Sequence, residues 1–359
     1  MLDRTLHHLS HTDLDGYSCQ LVMQSTPYKK VNYNANYGAE VKQKLEQILD
    51  AIKQSEDKAY ILVTDLNLSA EESRWINEEV QLRNQNGADI KLQLLDHHGS
   101  GEESAKKYAW YMLDTARSAT KITYDFAKEN FELDAPSWLC AFVDVVNAVD
   151  LWKQEERENF EFGKVCMRLV SEMRELNKIM FPAEDNLYKL SLLKEAAQYI
   201  HMPSAPIVLD EKIHLLKKEF FKRENNDTLD NLATKYIVDL LGEKKGEMTI
   251  YYKGYKGFLS YALGNTSIIG NGFLTAHPEY DFIVDVSYKG TLSLRANNKV
   301  SVALIAKEWV NGGGHPNASG GRILGFKEQF VYDKVKQQIE ALLADKEATT
   351  KELEAKKEA

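Results

Sequence analysis

Asp96-His97-His98 ends an apolar run, LQLLDHHGS, with three side chains able to hold a metal ion. Such a run reads as a buried strand, and in open parallel sheets ligands gather outside the carboxyl ends of strands. Other segments share the pattern. His11, Asp13 and Asp15 stand in SHTDLDG after a first apolar stretch, and Asp65 closes AYILVTD. A later Asp completes the set; Asp150 in NAVDLW is favoured over Asp144, six residues before it. A lone Asp after a strand is usually a turn or cap residue, and a lone His pair usually sits on the surface. Four such segments in one chain argue for convergence on one sheet edge. Carboxylates crowded together raise one another's pKa unless cations neutralise them. The donors are oxygen and imidazole with no thiolate, which favours Mn²⁺ or Mg²⁺ over structural zinc. There are ligands enough for two ions, an arrangement suited to in-line attack of water on a phosphate.

A second constellation lies far downstream in GGGHPNASGG, residues 312–321. A helix stop explains one glycine there but not five. Gly313 and Gly314 allow close backbone approach to a ligand, and free N–H groups in such a loop bind anionic oxygen. His315 adds a donor or cation. Arg295 ends a strand in SLRAN and has the geometry to grip a phosphate with two nitrogens. Arg322 is balanced between this role and a surface one. Tyr251, Tyr252, Tyr255 and Phe258 interleave with Lys253 and Lys256; strand core is the favoured reading over base stacking.

The elements that must position these groups alternate along the first 150 residues. Strands are expected at 5–11, 59–63 and 90–95, with His7 and His8 in the first strand and one of them exposed. Helices are expected at 17–25, 40–56, 115–130 and 137–149, and Ser69 to Glu72 fits a capping box opening another. Alternation of this kind indicates a parallel α/β sheet. From about 153 to 240 the chain reads as helical, with one long helix near 186–223. From about 247 it turns β-rich, and 299–310 reads as a helix stopped by Gly312-Gly313-Gly314. The tail from about 327 is helical and then of low complexity, expected to be frayed or exposed.

A chain of 359 residues suggests two domains, and 43% hydrophobic content suffices for their cores. The net charge of −9 argues against binding long duplex nucleic acid, which needs an extensive basic surface. A short anionic substrate held by metals and a few cations remains compatible. Cys19, Cys140 and Cys166 match neither a zinc spacing nor a disulfide framework. The charged, His-rich start is unlike a signal peptide, and no apolar run approaches the ~20 residues of a membrane helix. A cytoplasmic, non-membrane protein is expected.

Taken together, SHTDLDG, VTDLN, LLDHHGS and GGGHPNASGG, in that order, resemble the DHH phosphoesterases with a C-terminal DHHA1 domain. The resemblance covers roughly 1–155 and 245–327. Within that superfamily the chain looks most like the short-RNA exonucleases, the nanoRNases or oligoribonucleases of the B-type. The resemblance implies an α/β fold with a parallel-sheet DHH domain at 1–155, a helical connector at 156–245 and a smaller α/β DHHA1 domain at 246–330. A C-terminal helix and mobile tail would follow at 331–359, with the active site in the interdomain cleft. It implies two Mn²⁺ ions, with Mg²⁺ as the substitute. Asp13 would bind one and Asp15 the other, Asp65 bridging, His97 and Asp150 completing the second site and His11 adding a ligand. Asp96 would support the neighbouring ligands and His98 would meet the scissile phosphate. Arg295, Gly313, Gly314 and His315 would hold the substrate. The implied activity is removal of mononucleotides from very short RNA. The rivals are a phosphatase of 3′-phosphoadenosine 5′-phosphate or another small nucleotide, and a catalytically silent nucleotide-binding regulator. The expected partners are short single-stranded RNA or a small nucleotide, not duplex DNA or membrane. Helical stretch 186–223 is available either for a homodimer or for packing within the chain.

Overall fold

The protein is described by a computed structural model covering residues 4–55 and 58–358, with side chains through 346. It divides into two compact units, Met1–Arg174 with Pro182–Phe220, and Glu175–Phe181 with Phe221–Ala359. The first unit runs β1 (Thr5–Ser10), α1 (Leu14–Gln24), β2 (Lys30–Asn34), α2 (Ala39–Ser55), β3 (Ala59–Thr64), α3 (Ala70–Gln85), β4 (Ile90–Asp96), α4 (Glu102–Lys107), β5 (Tyr111–Leu113), α5 (Ala119–Asn130), α6 (Ser137–Asp150), α7 (Arg157–Glu172), α8 (Pro182–Ala197) and α9 (Ala205–Phe221).

Its sheet has the order β2-β1-β3-β4-β5 and every pairing is parallel. That order places a topological switch point between β1 and β3, where open α/β sheets bind ligands. The period of two along β3 sorts its side chains into two cores. Ile61 and Val63 join Leu9, Leu45, Ile48 and Leu94 on one face. Leu62 joins Leu6, Leu95, Ile122 and Val143 on the other. With both faces covered, β1 is buried along its whole length. This corrects the expectation of one exposed histidine: His7 and His8 are both buried. The His8 ring bonds the Thr64 hydroxyl at 2.8 Å, and burial lowers its pKa to about 3, so it stays neutral.

The second unit runs α10 (Leu229–Glu243), α11 (Lys245–Met248), β6 (Thr249–Tyr252), β7 (Tyr255–Tyr261), α12 (Thr266–Ala276), β8 (Phe282–Val286), β9 (Thr291–Ala296), α13 (Val302–Val310), β10 (Gly313–His315), β11 (Ala318–Arg322) and α14 (Tyr332–Glu358). Its sheet order is β10-β11-β9-β8-β7-β6, with β7 and β8 the one parallel pair. Tyr252 and Phe258 are core, whereas Tyr251 and Tyr255 are exposed.

Several boundaries differ from the sequence reading for physical reasons. The long helix near 186–223 is two helices, α8 and α9, separated by a turn that contains Pro203 and Ser204 at φ +56°. Proline lacks the N–H that a continuous helix would need there. The helical stretch 156–245 is shared out, α7 to α9 going with the first unit and α10 with the second. Helix α13 ends one residue before the glycines, on Asn311 in the left-handed region at φ +57°. Residues 313–315 are therefore an edge strand, not a helix stop or a loop. Strands β2, β5, β10 and β11 are short or polar and carry no strong apolar pattern. The side chains of the expected mobile tail, from 347 on, lie outside the described residues.

Gly16 fixes the entry into α1. A Cβ there would lie 2.5 Å from the His11 carbonyl oxygen and 2.8 Å from its Cα, both backbone atoms that cannot turn aside. Gly16→Ala should destabilise the protein by about 1–3 kcal/mol, the usual range for overpacking, and lower the Tm in thermal denaturation; an unchanged Tm would mean that the β1–α1 turn is looser than its geometry.

Candidate metal centre

Four elements deliver carboxylate and imidazole to one edge of the first sheet. Asp13 is the N-cap of α1, its side chain accepting the Gly16 N–H at 3.0 Å. Asp15, one turn in, is buried, and its two oxygens accept the backbone N–H groups of Ala119 and Thr120 at 2.7 and 2.9 Å. Those donors are the first residues of α5, so the carboxylate sits on the positive end of a helix dipole. Asn147 of α6 accepts the N–H of Ser118, the N-cap of α5, at 3.0 Å. Asp150 is the last residue of α6, so it arrives from a helix end rather than from a strand. Asp65 follows β3 with φ +55°, a left-handed backbone that Asp tolerates better than most residues.

The side chains meet closely. His11 Nδ1 lies 2.9 Å from Asp13 and 3.6 Å from Asp65. His97 Nε2 lies 3.3 Å from Asp65 and 3.8 Å from Asp15, and its Nδ1 lies 3.5 Å from Asp150. Two donor sets result: His11, Asp13 and Asp65, and Asp15, His97 and Asp150, each with ligand atoms within 4.8 Å of one another. Asp65 also groups with His97 and His98, so it stands between the two sets. Asp144, the rival of Asp150, is turned to Lys121 at 3.0 Å instead.

The electrostatics call for cations. Burial raises the pKa of Asp65 far above the usual carboxylate value, and the neighbouring Asp15 and Asp13 charges add to it. Asp15 is raised for the same reasons, against the opposing pull of His97. Asp150 is raised to about 7 by burial and by the Asp15 charge. Burial opposes charging of His11, yet its contacts with Asp13 and Asp65 win and raise it to about 9; the same contact lowers Asp13 to about 2 against its own burial. Three buried atoms, His11 Nδ1, Asp65 Oδ2 and Asp150 Oδ2, lack a hydrogen-bond partner among the described residues. Buried polar atoms are normally satisfied. These three atoms belong to residues of the two sets, and oxygen and imidazole donors suit a divalent cation.

Asp96 has a different place. Fully buried, it accepts His98 Nδ1 at 2.7 Å and the Tyr111 hydroxyl at 2.9 Å. His98 Nε2 meets the Tyr37 hydroxyl at 3.0 Å. Tyr37 also lies over His11, ring centroids 4.9 Å apart. Sequence reasoning overlooked both tyrosines, along with Asn34, whose side chain donates to the His11 carbonyl at 3.0 Å. The available signal was position: Asn34 is the last residue of β2 and Tyr37 follows three residues later, at the same sheet edge.

The remaining residues singled out from the sequence belong to the second unit. Arg295 donates to the Ser267 hydroxyl at 2.7 Å. It pairs across the sheet with Ala318, which pairs with His315, so the two cationic candidates share a row on one face. Crowding explains two of the glycines: a Cβ on Gly312 would lie 2.2 Å from the Gly320 carbonyl, and one on Gly314 would lie 2.6 Å from that of Ala318. Gly313 has open space where a Cβ would stand.

Comparisons with known proteins show what the chain is similar to. The chain is 44% identical over 343 residues to the 3′,5′-cyclic-nucleotide phosphodiesterase of Helicobacter pylori (strain ATCC 700392 / 26695), spanning 94% of this chain and 98% of that protein. It is 25% identical over 325 residues to oligoribonuclease NrnB of Bacillus subtilis (strain 168), spanning 88% and 72%. The crystal structure of an uncharacterized protein from Helicobacter pylori G27 superposes with a TM-score of 0.90 at 43% identity, over 95% of this chain and 99% of that one. No protein-family model matches. The chain belongs to the DHH-family phosphoesterases, a family of phosphate-ester hydrolases. Within it, this protein is a phosphodiesterase related to NrnB.

Protons compete with cations for these carboxylates. A carboxyl raised to about 7 in the fold keeps its proton where the unfolded chain has lost it. Its contribution to metal-free stability is therefore greatest below the unfolded pKa and declines as pH rises through about 7. Cation binding must displace that proton and the one on His11, so it strengthens with rising pH. With Mn²⁺ as the probe, the rise in Tm on saturation should be larger at pH 8 than at pH 6; equal shifts at both would rule these groups out as ligands.

Proposed function

We propose that this protein hydrolyses the 3′,5′-phosphodiester of small nucleotides with two Mn²⁺ ions, and that 3′,5′-cyclic nucleotides are its principal substrates. The observation that carries this reading is Asp65, a buried carboxylate with an orphaned oxygen between two three-residue donor sets. The 44% identity to a protein named for cyclic-nucleotide hydrolysis supports the substrate class. When bound, the two ions neutralise phosphate charge and acidify a water.

The residues divide the work. His11, Asp13 and Asp65 hold one ion, Asp15, His97 and Asp150 the other, and Asp65 is shared. The α5 N-terminus orients Asp15 and partly offsets the cost of its burial. Asp96 holds Nδ1 of His98 and the Tyr37 hydroxyl meets its Nε2, which fixes tautomer and ring angle; His98 would meet a phosphate oxygen by exchanging it for the Tyr37 hydroxyl. In the second unit, Arg295 and His315 share one row of the sheet, with Gly313 and Gly314 beside them, a grouping suited to anionic oxygen. A small substrate needs few such contacts, in keeping with a net charge of −9. We place the reaction in the cytoplasm, in keeping with free Cys19, Cys140 and Cys166.

The second reading is degradation of very short RNA to mononucleotides, favoured by the similarity to an oligoribonuclease over 88% of the chain. It uses the same bond and the same centre. A panel of cyclic AMP, cyclic GMP, a dinucleotide, a five-mer, 3′-phosphoadenosine 5′-phosphate and a long single strand, assayed with Mn²⁺, separates them. Cyclic nucleotides should give the highest kcat/KM; a dinucleotide preference would favour the RNA reading, and release of phosphate from the bisphosphate would favour a phosphatase. Asp65→Ala should cut turnover at least ~100-fold; a folded variant with near-wild-type activity would refute the shared-ligand assignment.

A further inference from the structure

Helix α6 delivers Asp150 and then ends in an unusual way. The N–H of Trp152 bonds the Val149 carbonyl at 3.2 Å, and the N–H of Lys153 bonds that of Ala148 at 2.8 Å. With Leu151 as the C-cap, these are the two bonds of a Schellman motif. Its C′ position takes a left-handed backbone and is usually glycine, because a Cβ is strained there. Here Trp152 occupies it, at φ +56°. The other non-glycine residues with positive φ are Asp65, Ser204, Lys253, Ala262, Asn298 and Asn311, none of them aromatic.

The fold gains little in return. Trp152 is 60% exposed, and of the five tryptophans it is the exposed one. Its indole stands edge-to-face on buried Phe160, ring centroids 5.0 Å apart at 87°, and Phe160 thereby fixes the ring from the protein side. Backbone strain and an exposed, braced indole combine two residues from a candidate metal ligand. Two residues along the chain, Cα atoms are at most about 7 Å apart, so the backbone of Trp152 lies close to that of Asp150. Local strain kept beside a reactive centre points to function rather than stability.

We infer that Trp152 is the base platform of this site, stacking on the nucleobase of a nucleotide whose phosphodiester lies at the metal centre. The inference rests on the phosphodiesterase reading and adds to it the group that selects nucleotides over other phosphodiesters. Stacking is tolerant of base identity because every base presents a π-face, so purine and pyrimidine nucleotides are both accepted, purines more tightly for their larger area.

The test sets stability against binding. Trp152→Gly relieves the left-handed strain and should raise the Tm, by about 2 °C for a chain of this size. The same variant should raise KM for cyclic AMP roughly tenfold or more, with kcat much less affected. Its KM penalty on an abasic 3′,5′-cyclic ribose phosphate should be at least several-fold smaller, and Trp152→Phe should recover most of the loss. Equal penalties on the two substrates, or no penalty on cyclic AMP, would overturn the proposal. Tryptophan fluorescence separates this from the underlying reading. Adenosine monophosphate should quench the wild type and not Trp152→Phe. Quenching without hydrolysis of any phosphodiester would sink the phosphodiesterase reading and keep the base platform; hydrolysis without quenching would do the reverse.

Discussion

Burying Asp15 and Asp65 side by side is the constraint on which the first unit turns. Carboxylates removed from water and set close together resist ionisation, and two kinds of positive group answer that here. One is built into the chain: the first N–H groups of α5 have no acceptor within the helix and donate to Asp15 instead. The other must come from outside, because Asp65 Oδ2 and Asp150 Oδ2 have no donor among the described residues. A fold selected for stability alone would pair or remove such groups. Their presence gives the edge groups that could hold a metal ion.

Much of the surrounding architecture keeps those carboxylates in register. Ser10 and Thr64, the last residues of β1 and β3, share a bond between their hydroxyls at 2.7 Å, and His8 joins Thr64 from one turn of the pleat below. The two strand ends that launch His11 and Asp65 are thereby tied at the switch point itself. On the flank, Asn186 of α8 bonds Gln20 at 2.6 Å and Asn34 at 3.0 Å, and Asn34 in turn holds the His11 carbonyl. Polar networks of this kind add rigidity where a ligand must be placed to a fraction of an ångström.

Within the Asp-His-His triplet, neighbours in sequence have separate surroundings. The pleat alternates direction, so Asp96 faces inward to Tyr111 and His98 while His97 faces the other carboxylates. Tyr37 covers the open side of His98. In the second unit, Gly313 and Gly314, which invite a loop reading, are strand residues paired with β11, and Gly312 and Gly314 lie too near the carbonyls of the facing chain for any side chain.

The sequence by itself determined the donor chemistry and the parallel α/β architecture. Apolar runs that stop at Asp or His mark strand ends, parallel sheets align those ends, and the absence of thiolate narrows the metal; all of this is local information. It also carried the amphipathic face of α2 and the Ser69–Glu72 capping box, both present in the fold. Tertiary structure decided which donors lie together, since His11 and Asp13 are separated from Asp65 by β2 and α2 yet meet it within 4.8 Å. It decided for Asp150 over Asp144, because Lys121 claims the latter from a helix 23 residues away. It revealed Tyr37, Tyr111 and Trp152, whose placement comes from a neighbouring strand, a short edge strand and the handedness of a helix cap. None of these is periodic, so the pattern of residue types could not announce them; each depends on what the chain brings alongside.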